Sequence, residues 1–396
     1  MIRHLPPVGL PLGGKEVWGA LAGIGHPDES ALRFAEELAL RLSGRTVIPL
    51  SSGRAALLGI LEAARAARPG RTDVLVPAYT CWSVPAAVIR AGLTVRLYDV
   101  DPATLDARRE TIETDDRVLA VLSNHLFGIP NDMHVLQSAA DSCGAFLIDD
   151  AAQGFGATWD GIPIGAWGDA GLLSFGRGKG LPALGGGAIV VPAEGPLAES
   201  LANTAGRGSG RGAGRFAKAW SHGFFFRPER YHFPAELPFL HIGETTYEPA
   251  FRSAAIDGYT AALGLRLLPR LDEANAARQA RADRYASFGS SASYRPVSIG
   301  ERGGPVYLRY PIMLRRDLTA AEEKAAALLG VSRLYPAPVQ SIPGLPADAL
   351  RTSGTLEGSE EIARKLRALP THPLVGEDDQ TALRDLLHHE SGGRSS

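Results

Sequence analysis

Six short apolar runs, separated by Ala-rich stretches of helical spacing, narrow the folds open to this chain more than any other feature of its sequence. The runs are Val74–Pro77, Val95–Val100, Val118–Leu122, Phe146–Asp150, Gly171–Phe175 and Ala188–Val191. Several show no polar–apolar alternation, which is the mark of strands covered on both faces. Between them Glu29–Leu42, Arg54–Ala67, Val84–Ala91 and Leu136–Cys143 have helical spacing and are rich in alanine, the strongest helix former. Such alternation gives an α/β protein, a largely parallel sheet with helices on both faces. Active sites of these sheets lie beyond the carboxyl ends of the strands.

Past residue 191 the pattern changes. Gly206–Arg215 (GRGSGRGAGR) reads as a mobile loop, an active-site lid, because glycine loses much freedom on ordering. Phe224–Phe226 and a Pro-, Tyr- and Phe-rich run to Leu240 follow, then a long helical stretch from Ala254 to Tyr285. Strands and helices alternate again after Ser293, with Val306–Met313 the clearest strand, and Ser391–Ser396 reads as a disordered tail. A chain of 396 residues exceeds one simple core, and a division near residue 246 gives a large domain over 1–245 and a smaller one over 246–396.

Composition excludes several classes. With 41 Lys and Arg against 43 Asp and Glu the net charge is −2, which disfavours a nucleic-acid partner or an anionic membrane surface. Cys81 and Cys143 stand far apart, so reduced thiols and a cytoplasmic location are expected rather than a disulfide framework. Met1–Leu12 holds three prolines and no long apolar stretch, so neither a secretory signal nor a membrane anchor is expected there. His388–His389–Glu390 has no metal-ligand spacing elsewhere to complete it, and no metal site is expected.

The chemistry concentrates in Leu147–Val191, LIDDAAQGFGATWDGIPIGAWGDAGLLSFGRGKGLPALGGGAIVV. Asp149 and Asp150 end an apolar strand, and neighbours on a strand face opposite ways, so only one of them enters a given site. A second strand ends in Ser174–Phe175, and Lys179 follows between two glycines, placed to project its amine from a tight turn into a cleft. Gly53–Arg54–Ala55 begins a helix directly after a loop, with Ser52 as N-cap, which offers backbone N–H groups and the positive end of the dipole to an anion.

The series DDAAQ, GDAGLLSF, Lys179 and GGGAIVV resembles the DegT/DnrJ/EryC1/StrS aminotransferases, sugar-modifying enzymes of the fold-type I pyridoxal phosphate class. SSGRAAL (Ser51–Leu57), VLVPAYT (Val74–Thr80), YDVDPATLD (Tyr98–Asp106), SNHLFGIPNDM (Ser123–Met133), FRSAAIDGYTAALGLRLLPRLD (Phe251–Asp272) and LPTHPL (Leu369–Leu374) keep the same order. The resemblance implies an aspartate-aminotransferase-like three-layer α/β/α large domain with a smaller C-terminal α+β domain. It implies pyridoxal 5'-phosphate held as a Schiff base by Lys179, Asp150 beside the pyridine nitrogen, and Gln153 near the ring hydroxyl. Ser174, Ser52, Gly53 and Arg54 are implied around the phosphate, Arg54 standing where the family usually has Thr. The implied reaction is transamination from glutamate or glutamine to a keto sugar attached to a nucleotide, by a homodimer.

The chain also departs from the family. Cys81 occupies the position of the aromatic that commonly stacks on the cofactor ring; Tyr79 or Trp82 is the substitute, with no basis in the sequence for choosing. Ala250 replaces an Asn that usually reaches across the dimer. His125 reads equally as a structural histidine and as a neighbour of cofactor or substrate. Two rival functions follow: a sugar dehydratase, against which Lys179 counts because those relatives carry His there, and a cofactor-binding sensor without catalysis.

Overall fold

The computed structural model describes residues 3–201, 212–235, 245–352 and 354–388. Eight strands form its central sheet: β1 (Thr46–Leu50), β2 (Asp73–Pro77), β3 (Thr94–Tyr98), β4 (Val118–Leu122), β5 (Phe146–Asp150), β6 (Ala170–Ser174), β7 (Gly187–Val191) and β8 (Leu350–Thr352). They lie in the order β1-β7-β6-β5-β4-β2-β3-β8. Pairing is parallel from β6 through β8, whereas β7 is antiparallel to both β6 and β1. The six expected strands are present, β4 and β5 with the expected ends and the other four shifted by one or two residues. β1 and β8 were not anticipated. Pro49 lacks an N–H and obscures β1, yet a sheet edge tolerates it; β8 is only three residues long and joins from far along the chain.

Alternate side chains of the strands feed two apolar clusters, one on each face. Leu75, Val121, Leu147 and Leu173 pack with Phe34 and Leu38 of helix α1 (Pro27–Arg41) and with Leu136 of a helix over Met133–Cys143. Val74, Leu119, Ile148 and Ile189 pack with Leu57, Ile60 and Leu61 of α2 (Gly53–Ala67) and with Val84 and Val88 of α3 (Ser83–Arg90). The result is the three-layer α/β/α arrangement.

The helical stretch expected from Ala254 to Tyr285 is broken in two. Helix Gly258–Leu267 ends in a tight turn, Leu268–Arg270, where Pro269 offers no N–H, and helix Leu271–Ala286 then starts. The loop expected over Gly206–Arg215 also needs correction where it is described: residues 213–215 open helix Ala213–Phe225. Phe216 on this helix meets Trp18 edge-on at 4.9 Å and Tyr259 at 6.2 Å, a tertiary contact that local glycine content does not announce. Residues 206–211, 236–240 and the expected tail Ser391–Ser396 lie outside the described residues.

Helix Gly258–Leu267 packs on α1 and shares its core, with Leu263 and Leu267 fully buried there. A division at residue 246 therefore separates a helix from the layer it covers, and we propose the boundary within helix Leu271–Ala286. Beyond it, strands Tyr294–Pro296, Arg309–Leu314 and Leu366–Pro370 form an antiparallel sheet packed on helices Ala320–Leu328 and Glu377–His388.

Asp99, just past β3, fastens the two parts. Its carboxylate accepts the Gly358 N–H at 2.9 Å, the Ser359 N–H at 2.8 Å and the Ser359 hydroxyl at 2.6 Å, at the start of helix Glu357–Lys365. Burial alone would raise this carboxyl, but these bonds outweigh it and hold the pKa below the usual carboxylate value of 3.8. A depressed pKa contributes stability above the unfolded value that is lost as pH falls through the folded one. Asp99→Asn is expected to lose about 1–3 kcal/mol at pH 7. In urea titrations the gap to the parent chain should narrow below pH 3.8; an equal gap at both pH values would refute the linkage.

Candidate active site

Strand carboxyl ends surround a cavity of about 330 Å³. Asp150 from the end of β5 and Ser174 from the end of β6 form part of its wall, and Lys179 enters from the turn that follows. The Lys179 amine makes no hydrogen bond with a described residue. Burial pushes it below the ordinary lysine value, against the opposing negative potential of Cys81 and Asp150. Burial raises the Asp150 carboxyl, against the opposing pull of the Ala152 N–H that it accepts at 3.0 Å.

The start of α2 forms a second wall. Ser52 is extended at the N-cap, and its hydroxyl accepts the Ala55 N–H at 3.1 Å. Gly53 lies so near Ser174 that a methyl group added to it would stand 2.9 Å from the serine Cβ, and one on Gly187 would stand 2.4 Å from the Gly53 nitrogen. Three elements therefore meet backbone to backbone, which sets the helix-end N–H groups beside the Ser174 hydroxyl, a group with no hydrogen-bond partner among the described residues. Arg54 turns its guanidinium to Glu248, at 3.0 Å, and over the Phe251 ring at 5.1 Å.

The two adjacent aspartates separate as strand geometry requires. Asp149 faces away from the cavity and is fully buried: one oxygen accepts the Gly165 and Trp167 N–H groups at 2.6 and 3.2 Å, the other lies 2.7 Å from His125 Nε2 and 3.3 Å from the Ser123 hydroxyl. The Asn131 N–H donates to His125 Nδ1 at 3.0 Å, so the ring proton sits on Nε2 and points at Asp149. His125, a residue that lines the cavity, is thus locked by structural bonds with its side chain fully buried.

Gln153 also lines the cavity, but its amide is engaged: Oε1 accepts the Phe127 N–H at 3.1 Å and Nε2 donates to the Tyr335 hydroxyl at 3.0 Å. Phe127 takes a left-handed conformation, φ +60°, that this bond helps to hold. Tyr79 and Trp82 are absent from the cavity wall, which corrects the expectation that one of them faces the cofactor. Tyr79 is a buried strut exchanging hydrogen bonds with the Tyr335 backbone at 3.3 and 3.1 Å, its pKa raised to about 12 by burial. The Trp82 Nε1 donates to the Ala337 carbonyl at 3.2 Å. Their place is taken by Cys81, which accepts the Ser83 hydroxyl at 3.0 Å, and by Tyr335. Tyr335 arrives from the far part of the chain, and no local signal in SRLYPAP singles it out.

Residues 24–387 match the DegT/DnrJ/EryC1/StrS aminotransferase family. Among curated proteins, the dTDP-3-amino-3,4,6-trideoxy-alpha-D-glucose transaminase of Streptomyces venezuelae is 28% identical over 306 residues, 76% of this chain and 72% of that one. The UDP-N-acetyl-3-dehydro-alpha-D-glucosamine 3-aminotransferase of Acidithiobacillus ferrooxidans is 35% identical over 153 residues, 38% of this chain and only 41% of its own length. In fold, the chain resembles the E. coli GDP-4-keto-6-deoxy-D-mannose-3-dehydratase solved with bound hydrated PLP, with a TM-score of 0.76 at 15% identity, covering 98% of this chain and 100% of the other. Taken with the α/β/α layers and the strand-end cavity, the match over 24–387 means that the chain belongs to the DegT/DnrJ/EryC1/StrS aminotransferase family.

Proposed function

We propose that this protein is a pyridoxal phosphate-dependent aminotransferase that moves an amino group from glutamate or glutamine to a keto sugar, nucleotide-linked, as a cytoplasmic homodimer. The observation that carries the reading is the Lys179 amine, without a hydrogen-bond partner among the described residues, in the same cavity as the buried Asp150. The donor set fits the cofactor: an amine free to hold its aldehyde carbon, a carboxylate for its pyridine nitrogen, and a glycine-built cradle with a free hydroxyl for its phosphate.

When bound, pyridoxal phosphate supplies an electron sink for the carbanion left when an amino acid loses its α-proton. The chain's own residues do the rest. Lys179, whose burial lowers its pKa and so favours the uncharged amine, would take the proton from the donor's α-carbon, a task typically worth ~10²–10⁴-fold. Asp150 holds a proton at the pyridine nitrogen. The start of α2 and Ser174 bind the phosphate, and the Gln153–Tyr335 pair fixes the wall beside the ring. Lys179 favours this reading over the dehydratase.

Borohydride reduction of the purified protein followed by peptide mapping should place the cofactor on the peptide containing Lys179. Glutamate added beforehand should remove the trappable form, by converting it to the amine form of the cofactor. A label on another peptide, or no response to glutamate and glutamine, would overturn the proposal, the second result in favour of a sensor.

A further inference from the structure

Arg96, Arg278 and Arg367 are the buried arginines among the described residues. Arg96 reaches Asp115 at 2.9 Å and Arg367 reaches Glu323 at 2.5 Å. Arg278 is the deepest of them, 1% exposed, and no carboxylate among the described residues pairs with it. Burial lowers its pKa to about 10, so at neutral pH the guanidinium keeps its charge. A charge enclosed without an opposite one is costly, and a neutral side chain of the same bulk would avoid that penalty.

What the guanidinium holds is the backbone of the lysine turn. It donates to the Gly180 carbonyl at 3.2 Å and to Asn275 Oδ1 at 2.5 Å. Gly180 follows Lys179 directly, and the stretch Gly178–Lys179–Gly180 has no side chain except the lysine's to anchor it. Inside the turn the Lys179 N–H reaches the Gly176 carbonyl at 3.3 Å, a long bond. Arg278 brings to this turn a tie from another element. Asn275 stands one helical turn before Arg278, on the same face of helix Leu271–Ala286. A methyl group added to Gly156 would stand 2.5 Å from Asn275 Nδ2, and one added to Gly180 would stand 3.8 Å from the Phe155 carbonyl oxygen. The helix thus braces, at one place, the segment that follows Asp150 and Gln153 and the turn that carries Lys179.

We propose that Arg278 is a positioning residue for Lys179: by gripping the Gly180 carbonyl from helix Leu271–Ala286 it aims the lysine amine into the cavity. Arg278 is absent from the cavity wall and acts through the turn. The grip stands on geometry, and its effect on the reaction rests on the aminotransferase reading above.

The test uses the full chain with Arg278→Met, of similar length but without donors or charge, and Arg278→Lys, which keeps the charge on a single donor group. Stopped-flow half-reactions with glutamate are expressed per borohydride-trappable cofactor, which removes any loss of folded protein from the rate. At saturating glutamate Arg278→Met should react about 10- to 100-fold more slowly, the effect of a reacting group displaced by about 1 Å. The glutamate concentration for half-saturation should change by less than about 3-fold, and Arg278→Lys should recover part of the rate. A second arm needs no cofactor: reductive methylation with formaldehyde and cyanoborohydride, followed by mapping of the Lys179 peptide. A loosened turn lets the amine reach water, so the pH of half-maximal labelling should rise by at least about one unit in Arg278→Met and stay unchanged at the other lysines. A parent-like rate per site, a loss carried by half-saturation alone, or a parent-like labelling profile would overturn the assignment. If Arg278→Met fails to fold, Arg278→Lys carries both readouts, and parent-like values in it would overturn the assignment in the same way. If the parent chain lacks the glutamate half-reaction while its Lys179 profile shifts in the variants, the aminotransferase reading fails and the grip stands.

Discussion

Lys179→Ala should abolish transamination, with a loss of at least ~10⁴-fold, while leaving the fold intact. The expectation has two independent grounds. The amine is the basic group of the cavity that can both hold the cofactor and remove the donor's proton, so no neighbour replaces it: Cys81 and Tyr335 line the same cavity, and burial holds the Tyr335 phenol well above its ordinary value, in its neutral form. The amine also makes no hydrogen bond with a described residue, and its burial disfavours its charged form. Truncation therefore breaks no hydrogen bond to a described residue and removes a buried, desolvated amine. Stopped-flow absorbance with glutamate reads the first effect and thermal unfolding reads the second. Residual turnover within 100-fold of the parent would show that another base acts; a collapsed melting midpoint would show that Lys179 is structural.

Asp149→Ala should have the opposite profile, a large loss of stability of about 3–5 kcal/mol. The carboxylate is fully buried and gathers four donors: Gly165, Trp167, Ser123 and His125. Removing it leaves two enclosed backbone N–H groups without the acceptor they share, each with its full desolvation penalty, and the imidazole N–H with only the Ser123 oxygen at 3.0 Å. Urea unfolding at neutral pH measures the effect. A loss under about 1 kcal/mol would mean that water enters and replaces the oxygens, so that the cluster is not the tie described above. Activity of the folded fraction is expected to fall only as far as His125 shifts in the wall.

What the sequence disclosed and what it hid divide along a physical line. The strands carrying Asp150 and Ser174 were readable because a run covered on both faces has no polar alternation to confuse it. That only one of Asp149 and Asp150 enters the site followed from a two-residue period, while the choice of Asp150 came from the family resemblance. The start of α2 was readable from Ser52 and Gly53, whose capping chemistry is local. Tyr79 and Trp82 misled because an aromatic just after a strand is equally suited to core and cavity; only the path of the distant Tyr335 segment, which claims the hydrogen bonds of both, decides between them. Helix Ala213–Phe225 was hidden by the glycines that precede it.

β8 and the chain start bear on how the cavity can breathe. Leu350–Thr352 hydrogen-bonds along β3, and Asp99 grips Gly358 and Ser359 a few residues later. From the other side the Arg3 guanidinium meets Asp379 at 2.7 Å, and the Leu5 N–H donates to the Leu328 carbonyl at 2.9 Å. The C-terminal lobe is thus moored to the rest at two separate places, beyond its ordinary covalent link. A clamshell swing would have to tear a sheet edge and a buried carboxylate cluster together. Molecules entering this crevice meet walls already in position, and whatever seals them from solvent must be a part small enough to move by itself.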